Sequence, residues 1–100
     1  MKDSFGKYIR KLRKENEMTL TQLAAKLELD SANLSKIETG KRQFNEKKLV
    51  LLAKCFNLEI DKLKEEYFSD IFAKKIYEAD CSTKTFELAE EKVKYLKKNN

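Results

Sequence analysis

The chain has 100 residues, with no proline, no histidine, two glycines and two cysteines. Few backbone breakers beside abundant Lys, Glu, Leu and Ala predict a small all-α protein, and 41% hydrophobic residues are enough for a core, which excludes wholesale disorder. The net charge of +5 is uneven: residues 1–58 carry 13 Lys/Arg against 7 Asp/Glu, whereas residues 59–100 carry 9 against 10, so a basic front half that suits nucleic acid precedes a neutral one.

A first helix is predicted from about Ser4 to Glu15, capped by Asp3 or Ser4. Phe5, Ile9 and Leu12 form its inward stripe, and Lys7, Arg10, Lys11 and Lys14 cover the rest. After a break at Asn16-Glu17, with Met18 as an apolar plug, Thr19 and Gln22 make the Thr-x-x-Gln capping box of a second helix. Leu23, Ala24 and Leu27 share one face of that helix, and Leu34 and Ile37 share one face of a third, capped by Asp30. The connector Glu28-Leu29-Asp30 has room only for a sharp turn, and the small Ala24 and Ala25 let the helices approach at a steep angle. Two short helices so joined make a helix-turn-helix, whose second member enters a DNA groove. Gly40 suits the left-handed residue that closes the third helix.

Lys41-Arg42-Gln43-Phe44 is a basic connector, and Asn45 caps a fourth helix with Leu49, Leu52, Ala53 and Phe56 inward; Asn57 ends it. A fifth helix is predicted from Ile60 to about Ala79, and a turn at Asp80-Cys81-Ser82 leads into a sixth that ends near Lys97. The two form a helical hairpin with more aromatic surface than it can bury within itself.

Chemistry beyond binding is not supported. Cys55 lies in the apolar run LVLLAKCF and reads as a core residue, Cys81 lies in a turn, and no histidine joins them, so no metal site and no cofactor are expected. There is no Gly-rich phosphate loop, no CxxC and no nucleophile with a base beside it, and Asp70, Glu78 and Asp80 read as solvated. An enzyme is therefore not expected. No apolar run approaches the roughly 20 residues of a membrane span, and MKDSFGKYIRK has no signal-peptide core. A cytoplasmic protein without a membrane partner or small-molecule ligand is the expectation.

The residues Met18-Thr19, Leu23-Ala24, Leu27, Leu29-Asp30, Leu34-Ser35-Lys36-Ile37-Glu38, Gly40-Lys41-Arg42 and Leu49, Leu52-Ala53 together resemble the Cro/repressor-type helix-turn-helix (XRE-like) regulators of bacteria and phages. The resemblance covers about Phe5–Leu63. It implies a five-helix DNA-binding domain over residues 1–63, followed by a helical extension over residues 64–100. It also implies a recognition helix at Ser31–Thr39 with Ser31, Ala32, Asn33, Ser35, Lys36 and Thr39 toward double-stranded DNA. Asn33 suits adenine, Lys36 guanine and Ala32 a thymine methyl. Lys41 and Arg42 are placed for phosphate or a neighbouring groove, while for Lys47 and Lys48 a solvated face is as good a reading. Glu38 stands where the family pairs a carboxylate with an arginine of the first helix, here Arg13. Three positions depart from the pattern. Leu20 replaces the usual phosphate-binding Gln, passing that role to Thr19, Thr21 or backbone N–H groups; Glu28 replaces the Gly of the turn; Phe44 stands where Pro is common.

The family usually acts as a homodimer on a palindromic operator. The extension surface of Tyr67, Phe68, Ile71, Phe72 and Ile76, with Phe86, Val93 and Leu96, is the expected dimerisation face. Small chains of this kind resemble the controller proteins of restriction–modification systems, which implies autoregulation. The competing reading is an antitoxin whose C-terminal helices bind a partner protein.

Overall fold

Side-chain caps set the starts of the first three helices. In the computed structural model, which describes residues 3–100, Ser4 accepts the Lys7 N–H at 3.3 Å and opens α1 (Phe5–Glu15). Thr19 and Gln22 form the reciprocal box of α2 (Leu20–Lys26), Oγ1 of Thr19 accepting from the Gln22 N–H at 3.1 Å and Oε1 of Gln22 accepting from the Thr19 N–H at 2.9 Å. Asp30 accepts the Asn33 N–H at 2.7 Å and opens α3 (Ser31–Glu38). Each cap satisfies an amide that a helix start otherwise leaves without a partner. Asn45 acts as predicted but begins a 3-10 turn, Glu46–Lys48, which leads into α4 (Leu49–Phe56). α5 (Ile60–Glu78) and α6 (Lys84–Lys98) complete an all-helical chain, with no strand among the described residues.

Helix ends follow the sequence as closely as the starts. Asn57 ends α4 in the left-handed conformation at φ 53°, which asparagine tolerates better than most residues. Glu28, standing where glycine is usual, also adopts left-handed backbone at φ 57°. The turn holds because the Leu29 N–H reaches the Ala24 carbonyl at 2.8 Å and the Lys48 ammonium donates to the carbonyls of Leu27 and Glu28 at 2.8 and 3.1 Å.

The chain divides into two compact units, one ending at Phe68 and one running from Ser69 to Asn100. In the first, Ile9, Leu23, Leu27, Leu34, Leu52 and Leu63 are fully buried, and α3 packs against both α1 and α2. Phe5, Phe44 and Tyr67 add an aromatic corner: the Tyr67 ring meets Phe5 edge-on at 5.1 Å and its hydroxyl donates to the Phe44 carbonyl at 2.6 Å. This corner holds the start of α5, as far as Phe68, in the first unit. It also corrects the role of Tyr67, which is 2% exposed and serves the first unit's core instead of a dimerisation face. Phe68 is half-buried with its ring on Tyr67.

The second unit, the latter part of α5 with α6, buries none of its described residues fully. Phe72, Ile76, Phe86, Ala89, Val93 and the stem of Lys75 line an apolar groove, and Leu88, Tyr95 and Leu96 lie open to solvent. Cys81 is exposed, while Cys55 is half-buried in the first unit and burial pushes its thiol pKa up against the opposing charge of Lys26.

Two outcomes follow. A Cβ at Gly6 would overlap the Ile37 carbonyl oxygen and press on that of Glu38 at 3.2 Å, so α1 approaches α3 at a distance only glycine permits. Helix propensity alone would make Gly6→Ala stabilising by up to about 1 kcal/mol; the close approach should reverse the sign and lower unfolding free energy by about 1–3 kcal/mol in urea titrations. In reaction with a thiol reagent at neutral pH, Cys81 should modify in a fast phase and Cys55 in a slow one, the phases merging once the protein is unfolded.

Candidate nucleic-acid interface

The orientation of α3 depends on a charge pair that joins three parts of the chain. Nε and Nη2 of Arg13 donate to the two carboxylate oxygens of Glu38 at 2.8 and 3.0 Å, and Nη1 donates to the Met18 carbonyl at 2.9 Å. Arg13 is 9% exposed and Glu38 5%. The hydrogen bond to Glu38, helped by its charge, raises the arginine pKa against the opposing effect of burial. One guanidinium thus binds α1 to the end of α3 and to the loop that enters α2, and the planar fork of arginine is the group that can do so. At the other end of α3, the hydroxyls of Thr21 and Ser31 lie 3.3 Å apart, joining the first turns of α2 and α3.

Held this way, α3 turns Leu34, Ile37 and Glu38 inward and its remaining residues outward. Ala32, Lys36 and Thr39 are exposed and Ser31, Asn33 and Ser35 partly so, which makes one continuous face of the residues expected to meet DNA. Gly40, at φ 81°, turns the chain so that the N–H groups of Lys41 and Arg42 both reach the Lys36 carbonyl, at 2.8 and 3.2 Å. Both side chains, exposed, therefore lie beside the end of α3. Thr39 is partly engaged already, its hydroxyl donating to the Ser35 carbonyl at 3.0 Å. Thr19 accepts the Gln22 N–H as the α2 cap, which leaves its O–H able to donate, whereas Leu20 is half-buried and has no polar group to offer phosphate.

Three features of this face have no local signature in the sequence. Lys48 is committed to the carbonyls at the end of α2, a bracing role that replaces both readings offered for it. Arg42 donates through Nη1 to the Asn33 side-chain oxygen. Lys7 and Arg10 of α1 line a shallow depression with Ser4, Glu38 and Thr39, which brings two further cations to the edge of α3. Each pairing spans many residues along the chain, and only the folded backbone brings the partners together.

A short helix braced at both ends, solvent-facing along one side and followed by two exposed cations, defines a helix-turn-helix DNA-binding unit. A helix-turn-helix family profile matches residues 9–63, and the chain belongs to that family, in its Cro/repressor-type branch. It is a non-enzymatic, DNA-binding transcriptional regulator. Two solved structures share the fold. The clp gene regulator ClgR from Corynebacterium glutamicum is 19% identical with a TM-score of 0.55, the likeness covering 75% of this chain and 80% of that one. The SinR protein/SinI protein complex is 23% identical with a TM-score of 0.53, covering 94% and 98%. No curated protein sequence is a match.

If Arg13–Glu38 is the brace described, either Arg13→Met or Glu38→Gln alone should cost about 3–5 kcal/mol in denaturant unfolding, because the remaining polar or charged group is left buried without its partner. The double variant Arg13→Met/Glu38→Leu should cost clearly less than the sum of the two.

Proposed function

We propose that this regulator reads a palindromic operator in double-stranded DNA as a homodimer, and that the operator lies upstream of its own gene, as for a restriction–modification controller protein. The observation that carries the reading is the pairing of a chemically mild recognition face with an uncovered apolar surface. Asn33 and Lys36 are the base readers on α3, with Ala32 suited to a thymine methyl and Ser31 and Ser35 to weaker polar contacts. Thr19, Thr21, Thr39, Lys41 and Arg42 are assigned to the phosphate backbone, where positive charge supplies affinity without sequence preference. So few base contacts give one copy little specificity, and two half-sites about 10 bp apart supply the remainder.

The doubling is assigned to the second unit. Val93 is 48% exposed, Tyr95 65% and Leu96 64%, on a unit too small to bury them itself. The proposed face comprises Ile71, Phe72, Ile76, Phe86, Val93 and Leu96; Tyr67 and Phe68 belong to the first unit, Tyr67 in its core. A cytoplasmic location belongs to the same proposal, consistent with the absence of any described helix long and apolar enough to cross a membrane.

One observation favours a second reading. The likeness to SinR/SinI, a complex of two proteins, extends over 94% of this chain and so takes in the second unit. On that reading the apolar groove binds a different protein, as an antitoxin binds its toxin.

Sedimentation and footprinting decide between them. The expected results are a dimer in solution, a protected inverted repeat upstream of the gene, and conversion to monomer by Val93→Glu with Leu96→Glu, with operator affinity falling roughly 100-fold as the avidity of two linked half-sites is lost. A monomer at all concentrations that co-purifies with another protein through residues 69–100 would support the second reading. Binding insensitive to competitor sequence, with no protected repeat, would sink the operator proposal.

A further inference from the structure

Asp30, Asn33 and Arg42 form one hydrogen-bonded row along α3. Asp30 accepts the Asn33 backbone N–H through Oδ1 at 2.7 Å and the Asn33 side-chain NH2 through Oδ2 at 3.2 Å. The oxygen of the same amide accepts from Nη1 of Arg42. Carboxylate, amide and guanidinium therefore follow one another in an order that only one amide orientation satisfies. A carboxylate accepts and cannot donate, and a guanidinium donates and cannot accept. The backbone supports the row, since Asp30 is the cap of α3 and Arg42 is anchored through its own N–H to the Lys36 carbonyl at 3.2 Å.

The adenine edge in the major groove offers an acceptor at N7 and a donor at N6, and an asparagine reads it with one N–H and one lone pair side by side. Asn33 has two side-chain N–H groups and two lone pairs on its oxygen. Asp30 takes one of the first and Arg42 one of the second, which leaves one donor and one acceptor in a fixed arrangement. An amide without these neighbours visits two flipped states, and in one of them donor faces donor and acceptor faces acceptor.

We propose that Arg42 is a positioning residue for base readout: together with Asp30 it holds the Asn33 amide in the orientation that pairs with adenine, and so sets discrimination at the base pair that Asn33 reads. This rests on the reading of α3 as a sequence-specific DNA reader. A purely phosphate-binding Arg42 would raise affinity for every sequence alike, and that difference makes the two roles separable.

The experiment uses the full chain. Selection from a randomised double-stranded DNA library defines the preferred site, and affinities for all its single base-pair variants are then measured for wild type, Asn33→Ala, Arg42→Met, Lys41→Met and Asp30→Ser. Arg42 and Lys41 are exposed and serine retains a helix cap, so equal thermal melts are expected to confirm that the variants fold. Asn33→Ala should lose adenine preference at one base pair by roughly 5- to 100-fold. Arg42→Met should lose roughly 3- to 10-fold of preference at that same base pair, besides an overall loss, and Asp30→Ser should act there too. Lys41→Met should weaken all sequences by one factor, and Arg42→Met should change no preference further in the Asn33→Ala background. Uniform weakening by Arg42→Met, with adenine preference retained, overturns this proposal and leaves the sequence-specific regulator standing. Wild-type protein that selects no sequence at all overturns both.

Discussion

The contact of Arg13 with Glu38 and Met18 is the constraint from which the DNA-facing surface follows. An eight-residue helix such as α3 is too short to be stable or to hold its direction by itself. Its inward stripe, Leu34 and Ile37, resists removal from the core but resists rotation weakly. A buried, bidentate charge pair is intolerant of rotation, because both ions lose water and recover it only in one geometry. Gly6 belongs to the same device. Any side chain at that position would push the last carbonyls of α3 away from α1 and take Glu38 out of reach of the guanidinium.

On the outward side of α3, residues that build the helix ends also fix the side chains beside them. Asp30 starts the helix and also engages the Asn33 side chain. The Lys36 carbonyl closes the helix end and so brings Lys41 and Arg42 alongside. Lys48 secures the turn before α3 from a segment 20 residues away, which allows a non-glycine residue to occupy left-handed backbone at Glu28. The outward surface is thus rigid at its edges and chemically modest at its centre.

The two units differ in what they can bury. The first encloses a core from five helices, and its aromatic corner draws Tyr67 inward. The second consists of part of one helix and one more, and a pair of helices this small leaves much of its apolar surface in water. A surface of that kind is the physical basis for assigning the second unit to association.

Much of this was determined by sequence alone wherever cause and effect lie within a turn or two of each other. Thr19 with Gln22, Asp30 with Asn33 and Asn57 at the end of α4 are local hydrogen-bonding or backbone effects, and the spacing of Leu23, Leu27, Leu34 and Ile37 is a direct consequence of helical period. The Arg13–Glu38 pair was legible only through family resemblance, since no local pattern joins residues 25 apart. Tertiary structure alone decided that Gly6 admits α3, that Tyr67 belongs to the core through Phe44, that Lys48 braces a turn, and that Arg42 meets Asn33. The physical reason is common to all four: packing and hydrogen bonding act through space, and their partners are set by how the helices cross.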